Sequence, residues 1–193
     1  MAATLLDAPA VVVSQVAKLS SPREEYELFA PDGTALGRIE EQASLGSFFA
    51  RKLSTLTFVV SDASGATVAT IEKPGAIGRS TFIVADAGGQ QIGVVEQQNM
   101  FMDPQFALRT PSGEFRLTSA AINAWSWTLV DANGAQVGQI SREFAGLADV
   151  FTSAEHFVVE LGPALAGPTR LVSLVACTCL DFVRDERAER RRH

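Results

Sequence analysis

"TRLVSLVACTCLDF", residues 169–182, is the most apolar stretch of this chain and lies close to its carboxyl end. Whether it crosses a bilayer or is wrapped by the rest of the protein decides the fold. The uncharged run from Leu171 to Leu180 is ten residues, about 15 Å of helix, whereas a bilayer core takes roughly 20 residues and 30 Å. It is too short to span. Asp181 ends the run, and Gly167-Pro168 stands just before it, a natural helix start with proline in the first turn. Leu171, Val172, Leu174, Val175, Cys177, Leu180, Phe182 and Val183 leave no polar stripe on such a helix. A helix apolar around its whole circumference has to be buried on every side. The expectation is a central helix, carried by Leu171, Val172, Leu174, Val175, Leu180 and Phe182, sheathed by the remaining chain. An interfacial or tilted insertion of the same segment is the alternative.

The sheath is legible as a repeat. "YELFAPDGTALGRI" from Tyr26, "FVVSDASGATVATI" from Phe58, "FIVADAGGQQIGVV" from Phe82, "FALRTPSGEFRLTS" from Phe106 and "WTLVDANGAQVGQI" from Trp127 share one pattern. In each, an aromatic is followed seven residues later by Gly33, Gly65, Gly89, Gly113 or Gly134. The aromatic and the residue two further on share one strand face. Aspartate then opens a turn, as Asp62, Asp86 and Asp131 do, and glycine supplies the positive φ that closes it. The returning strand is apolar three and six past the glycine, as at Val68 and Ile71 or Val137 and Ile140. That odd separation requires either a bulge or a strand apolar on both faces. The Phe106 unit carries Arg116 and Ser119 there instead, so its hairpin is expected at an edge or on a more exposed part of the sheet. With "VVVSQVAKL" (11–19) and "HFVVEL" (156–161) the count is twelve strands. The fold class expected is mainly β: a closed antiparallel barrel around one buried carboxyl-terminal helix. The domain spans residues 10–186, between an amino-terminal tail (1–9) and a charged tail (187–193).

Composition limits what such a body does. Sixteen Lys and Arg against 22 Asp and Glu give a net charge of −6, which disfavours broad attraction to nucleic acid. The segment "RDERAERRRH" (184–193) is the local exception, with five arginines against three acids. The amino terminus lacks a cationic n-region and carries Asp7 within its apolar part, so it does not read as a secretory signal, and a cytoplasmic location is expected. Cys177 and Cys179, two apart on a helix, point about 200° from each other and form neither a bridge nor a metal pincer. Two histidines, His156 and His193, and no G-x-S-x-G, H-E-x-x-H or phosphate-loop motif argue against an enzyme. Neither a cofactor nor a metal is expected. The paired acids Glu24-Glu25, Glu40-Glu41 and Asp185-Glu186 read as solvated charge.

"GQISREFAGLADVFTSAEHFVVEL" and "LVSLVACTCLDFVRDE" carry a more specific pattern. It comprises Gly138, Ile140, Arg142, Phe144, Gly146, Phe151, Thr152, Ala154, Phe157, Leu180, Asp181, Phe182 and Glu186. In these residues the chain resembles the phospholipid scramblase family and its wider kin, the tubby-like and LURP-one-related proteins, over about residues 10 to 186. The resemblance implies a twelve-stranded barrel around a hydrophobic helix, and membrane-associated lipid biology: calcium-stimulated movement of phospholipid between leaflets, or phosphoinositide binding. Where the scramblase calcium segment is acidic, this chain reads Ser153, Ala154, Glu155, His156, Phe157 and then Ala164. That leaves too few oxygen ligands for a cation that takes six to eight. The expected partner is a phospholipid surface, at the inner face of a membrane. Candidate contacts are Phe48 and Phe49 entering the interface, Arg51 and Lys52 meeting phosphate, and Lys73 and Arg79 flanking a loop between hairpins. The alternative is a soluble protein-interaction or small-ligand scaffold without a lipid role.

Overall fold

The structure is a computed structural model. It describes residues 4–16, 24–42, 54–75, 78–100, 103–119, 126–142 and 156–192, with side chains through residue 187. Twelve strands run in chain order: β1 (Ala10–Gln15), β2 (Glu25–Phe29), β3 (Ala35–Glu41), β4 (Leu56–Asp62), β5 (Thr67–Lys73), β6 (Thr81–Asp86), β7 (Gln91–Gln97), β8 (Phe106–Thr110), β9 (Gly113–Thr118), β10 (Ser126–Val130), β11 (Gln136–Ser141) and β12 (His156–Leu161). Each pairs antiparallel with its sequence neighbours, and β1 pairs with β12, closing the barrel. One helix follows, α1 (Gly167–Arg192).

The puzzle of the odd spacing resolves as a bulge. In four hairpins the register slips between Leu28/Phe29, Val60/Ser61, Val84/Ala85 and Leu129/Val130. The extra residue on the returning strand is the one three past the glycine: Leu36, Val68, Ile92 or Val137. Beyond it the ordinary alternation resumes, and the residue six past the glycine faces inward. The Phe106 unit has no slip. Thr110 pairs with Gly113 across the two-residue turn Pro111-Ser112, and the inward residues are Phe115 and Leu117. The expectation of an edge there is corrected: β8 and β9 are both paired on each side, and the sequence merely keeps the regular two-residue period.

The inner wall and the helix form one apolar core. Residues 169–183 of α1 are all buried. Phe182 meets Phe58 (β4) and Phe82 (β6) edge-on at 5.9 and 6.1 Å, Asp181 meets Tyr26 (β2), and Val172 lies against Gly93 (β7). Contacts from strands around the circumference place the helix in the bore. The buried stretch, about 22 Å long at 1.5 Å per residue, matches strands of six residues at about 3.3 Å each. The outer wall carries pairs such as Arg38–Glu40 at 2.9 Å and Arg109–Glu96 at 2.8 Å. Apolar inside and charged outside is the reverse of a membrane-spanning barrel. No helix among the described residues is long and apolar enough to cross a membrane.

The segment expected as an amino-terminal tail contributes to the core: Leu5 and Ala8, on a turn closed by Ala8 N–H to the Thr4 carbonyl, are buried. Arg170, buried in the first turn of α1, donates to the carbonyls of Ala8, Leu161 (3.5 Å) and Leu165 (3.3 Å). Burial lowers its pKa, and the nearby Asp7 carboxylate opposes that shift.

Candidate functional site at the helix exit

The barrel has two chemically different ends. At one lie the five tight turns. The Asp62 carboxylate accepts the Ser64 and Ala66 N–H groups at 2.8 and 3.1 Å, and Asp86 and Asp131 repeat the arrangement. Gly65, Gly89 and Gly134 take φ of 85°, 81° and 83°. These bonds hold the carboxyl of Asp62, chiefly through the Ser64 hydroxyl, and that of Asp131, chiefly through the Ala135 N–H, below the usual range. The helix begins at this end, where the Thr169 hydroxyl meets Thr110 Oγ1 at 3.0 Å and Ser112 Oγ at 2.8 Å on the β8–β9 turn.

At the other end the helix emerges, and every connection between successive hairpins leaves from it. Polar side chains ring the exit. The Tyr26 hydroxyl donates to Asp181 Oδ2 at 3.1 Å, with both groups buried. Burial first, then the carboxylates of Asp181, Glu24 and Asp185, push the Tyr26 pKa well up. Gln15 Nε2 donates to Glu24 Oε2 at 3.0 Å and to Asp185 Oδ2 at 3.5 Å, and Glu41 Oε2 accepts the Glu24 N–H at 3.0 Å. Glu24 and Glu41, expected as solvated charge, are therefore buried structural groups. Arg184 lies over the Trp127 ring at 5.1 Å.

Of the residues expected to touch lipid, Phe48, Phe49, Arg51 and Lys52 lie outside the described residues, on the β3–β4 connection. Lys73 flanks the β5–β6 connection, as expected, but its side chain is enclosed. It ends β5 with 3% of its side chain exposed, its ammonium 3.5 Å from Glu186 and 5.1 Å from the centre of the Phe182 ring. The even spacing from Ile71 through Lys73 turns it inward, where it closes the core around α1. Arg79 sits on the β5–β6 connection, exposed, and donates to the Gln98 carbonyl at 3.3 Å. The sequence reading missed Asn99, Met100 and Arg187, which gather beside Arg79: Arg187 Nη2 donates to the Asn99 carbonyl at 2.7 Å. "NMFM" (99–102), an apolar triplet in a polar connection, was the available signal.

Cys177 and Cys179 are buried, and burial raises both thiol pKa values, so neither is a nucleophile. Among the described residues no cluster of His, Cys, Asp and Glu could hold a metal ion. A shallow groove of about 510 Å³ on the outer wall is lined by Pro9, Val137, Leu161 and the polar side chains of Gln136, Gln139 and Glu160, and it holds no cation and no nucleophile.

A crystal structure of a protein from Arabidopsis thaliana is similar in fold, with a TM-score of 0.52 at 16% identity, covering 92% of this chain and 93% of that one. No curated protein sequence matches the chain. The model of the family described as Scramblase matches residues 26–187, from the first inward aromatic of the repeat to the arginine at the helix exit. The chain belongs to the Scramblase family.

Proposed function

We propose that this chain is a non-enzymatic protein that binds a phospholipid surface peripherally, with the helix-exit end of its barrel facing the lipid. The observation that carries the reading is the asymmetry of the two ends. The five turns carry Asp32, Asp62, Asp86 and Asp131, with no aromatic and no cation. By sequence, the connections at the other end carry the aromatics Phe48, Phe49, Phe101, Trp125, Phe144 and Phe151 and the cations Lys18, Arg23, Arg51, Lys52, Arg79 and Arg142, against the acids Glu24, Asp103, Glu143, Asp149 and Glu155; most of these lie outside the described residues. Aromatics interleaved with cations are the composition of a lipid interface: rings enter the headgroup boundary, and cations gain from anionic headgroups about 1 kcal/mol each. The charged outer wall and the sheathed helix support contact from one side rather than insertion of the whole body.

The test is co-sedimentation with vesicles of phosphatidylcholine alone and of phosphatidylcholine mixed with phosphatidylserine. Binding to the mixed vesicles that weakens as salt rises is expected, as is its reduction in the double variant Arg51→Ala, Lys52→Ala. Absence of binding at low salt overturns the reading and favours the protein-interaction scaffold. Movement of lipid between leaflets, for which the family is named, is a further activity, read separately by leaflet exchange of a labelled lipid in proteoliposomes with and without calcium.

A further inference from the structure

The connection between β7 and β8 is built around one side chain. Asn99 Oδ1 accepts the Gln105 N–H at 3.1 Å, and Asn99 Nδ2 donates to the Asp103 carbonyl at 2.9 Å. The carbonyl of Asn99 accepts from Arg187 Nη2 at 2.7 Å and from Gln97 Nε2, and buried Gln97 in turn accepts the Ser80 N–H at 3.0 Å. Both feet of the loop are thereby tied, one to Ser80 just before β6 and to α1, the other to Gln105 just before β8. Among the described residues one large apolar side chain stands exposed, and it is on this loop: Met100, at 40%. Two guanidinium groups sit on the consecutive carbonyls just before it, Arg79 on Gln98 and Arg187 on Asn99. Arg79 uses one of its five donors in that bond, which leaves donors for an anion.

We propose that Met100 inserts into an anionic phospholipid surface, that Arg79 meets a headgroup phosphate beside it, and that Asn99 is the positioning residue that holds the loop outward. The inference rests on the lipid-surface reading above and deepens it to named contacts. Size selects the occupant. Among the described residues the patch offers one exposed apolar side chain beside cations, far short of the roughly 800 Å² per partner of a stable protein interface. It suffices for shallow interfacial insertion assisted by charge. A flexible, unbranched thioether also adapts to a disordered medium better than to a shaped pocket.

The test places an environment-sensitive fluorophore on Met100→Cys, and on Ala63→Cys in an exposed turn at the opposite end as a control. Selective labelling is available because Cys177 and Cys179 are buried. With vesicles containing phosphatidylserine, the probe at 100 shifts to the blue and the probe at 63 does not. In co-sedimentation, Met100→Ser lowers partition about fivefold, from burial of the exposed part of the side chain. Arg79→Ala lowers it about fivefold on the mixed vesicles and less on phosphatidylcholine alone. Asn99→Ala lowers partition and broadens the response of the probe at 100, which loss of overall folding would not do with an unchanged thermal transition. An unshifted probe on protein that does sediment with vesicles overturns this inference and leaves the lipid reading standing. Failure of the parent chain to sediment overturns both. A shift that grows with protein concentration in the absence of vesicles assigns the loop to a second copy of the chain, and overturns the inference in that way.

Discussion

Gly93 tests the sheathed helix most directly. A Cβ built at this β7 position would lie 2.6 and 3.1 Å from the two γ-methyl carbons of Val172 on α1, and 2.9 Å from the Arg109 carbonyl oxygen. Gly93→Ala restricts the unfolded chain and gains about 0.4–1 kcal/mol from that alone. Overpacking against a fully buried valine costs about 1–3 kcal/mol. The steric term wins, for a net loss of about 1–2 kcal/mol. Val172→Ala removes two buried methyl groups and costs about 1.5–3 kcal/mol. In the double variant the Cβ no longer meets the valine methyls and fills part of the space they leave, so the losses do not add. The coupling is expected at about 1–2 kcal/mol, short of full rescue because the Arg109 carbonyl remains. Urea titrations of the four proteins at unchanged m-value give the cycle. Additivity to within about 0.5 kcal/mol would mean that the two residues do not face each other, and the helix would then not lie in the bore at β7.

Other outcomes follow from the ring of contacts at the exit. Tyr26→Phe removes a buried donor from Asp181 and is expected to cost about 1–3 kcal/mol in the same titrations. The Tyr26 pKa is raised in the folded chain, so the neutral phenol's contribution is complete below about pH 10 and is lost as pH climbs beyond it, where the unfolded chain releases the proton first. The phenylalanine variant should therefore show a shallower alkaline fall in stability, and equal slopes would contradict the burial. Cys177 and Cys179 should resist a thiol reagent in the native protein and react together on unfolding; rapid native labelling would place them outside the barrel. Lys73→Met keeps the inward packing on Phe182 and is expected to leave vesicle partition within about twofold of the parent, since the ammonium is enclosed. A large loss would return Lys73 to the lipid face. Asp62→Ala should lower the thermal midpoint, and the difference should shrink as pH falls through the depressed pKa of that carboxyl, because protonation removes the same acceptor from the parent.

The architecture was legible because two strong periodicities coincide: an aromatic-to-glycine interval repeated five times, and a helix without a polar stripe. The bulge was half legible. Val68 and Ile71 announce an odd interval, yet choosing between a bulge and a doubly apolar strand required the residue between them. That residue is small in all four bulged hairpins, Gly37, Ala69, Gly93 and Gly138, and large at Leu117 in the unbulged one. A Cβ at Gly37, Gly93 or Gly138 would meet the carbonyl of Ser61, Arg109 or Glu160 on the following strand at 2.1, 2.9 and 2.9 Å. Small size at that position is thus a close-approach signal that accompanies the bulge. The exit site was less legible. Lys73 reads as an available charge flanking a loop, yet its parity with Ile71 turns it inward. Glu24 looked solvated because nothing local reveals that Gln15 on β1 joins it to Asp185 on α1, beside the Tyr26–Asp181 bond, so that strands and helix converge there.

That convergence explains why the two ends are free to differ. Four of the five tight turns satisfy their own backbone groups through aspartate, and the fifth meets Thr169 of α1, so that end is closed and polar. Among the described residues the exit end shows no such self-closed turn, and the helix leaves through it. Its wall is sealed instead by long side chains reaching between strands and α1, namely Lys73 to Glu186, Gln15 to Asp185 and Arg187 to Asn99. Each of these spends a polar group on fixing the helix, and each fixed contact sets where the adjoining connection starts. A connection anchored in this way can hold an apolar residue such as Met100 in water without collapsing onto the core, which is the condition for meeting a lipid surface with a preformed contact.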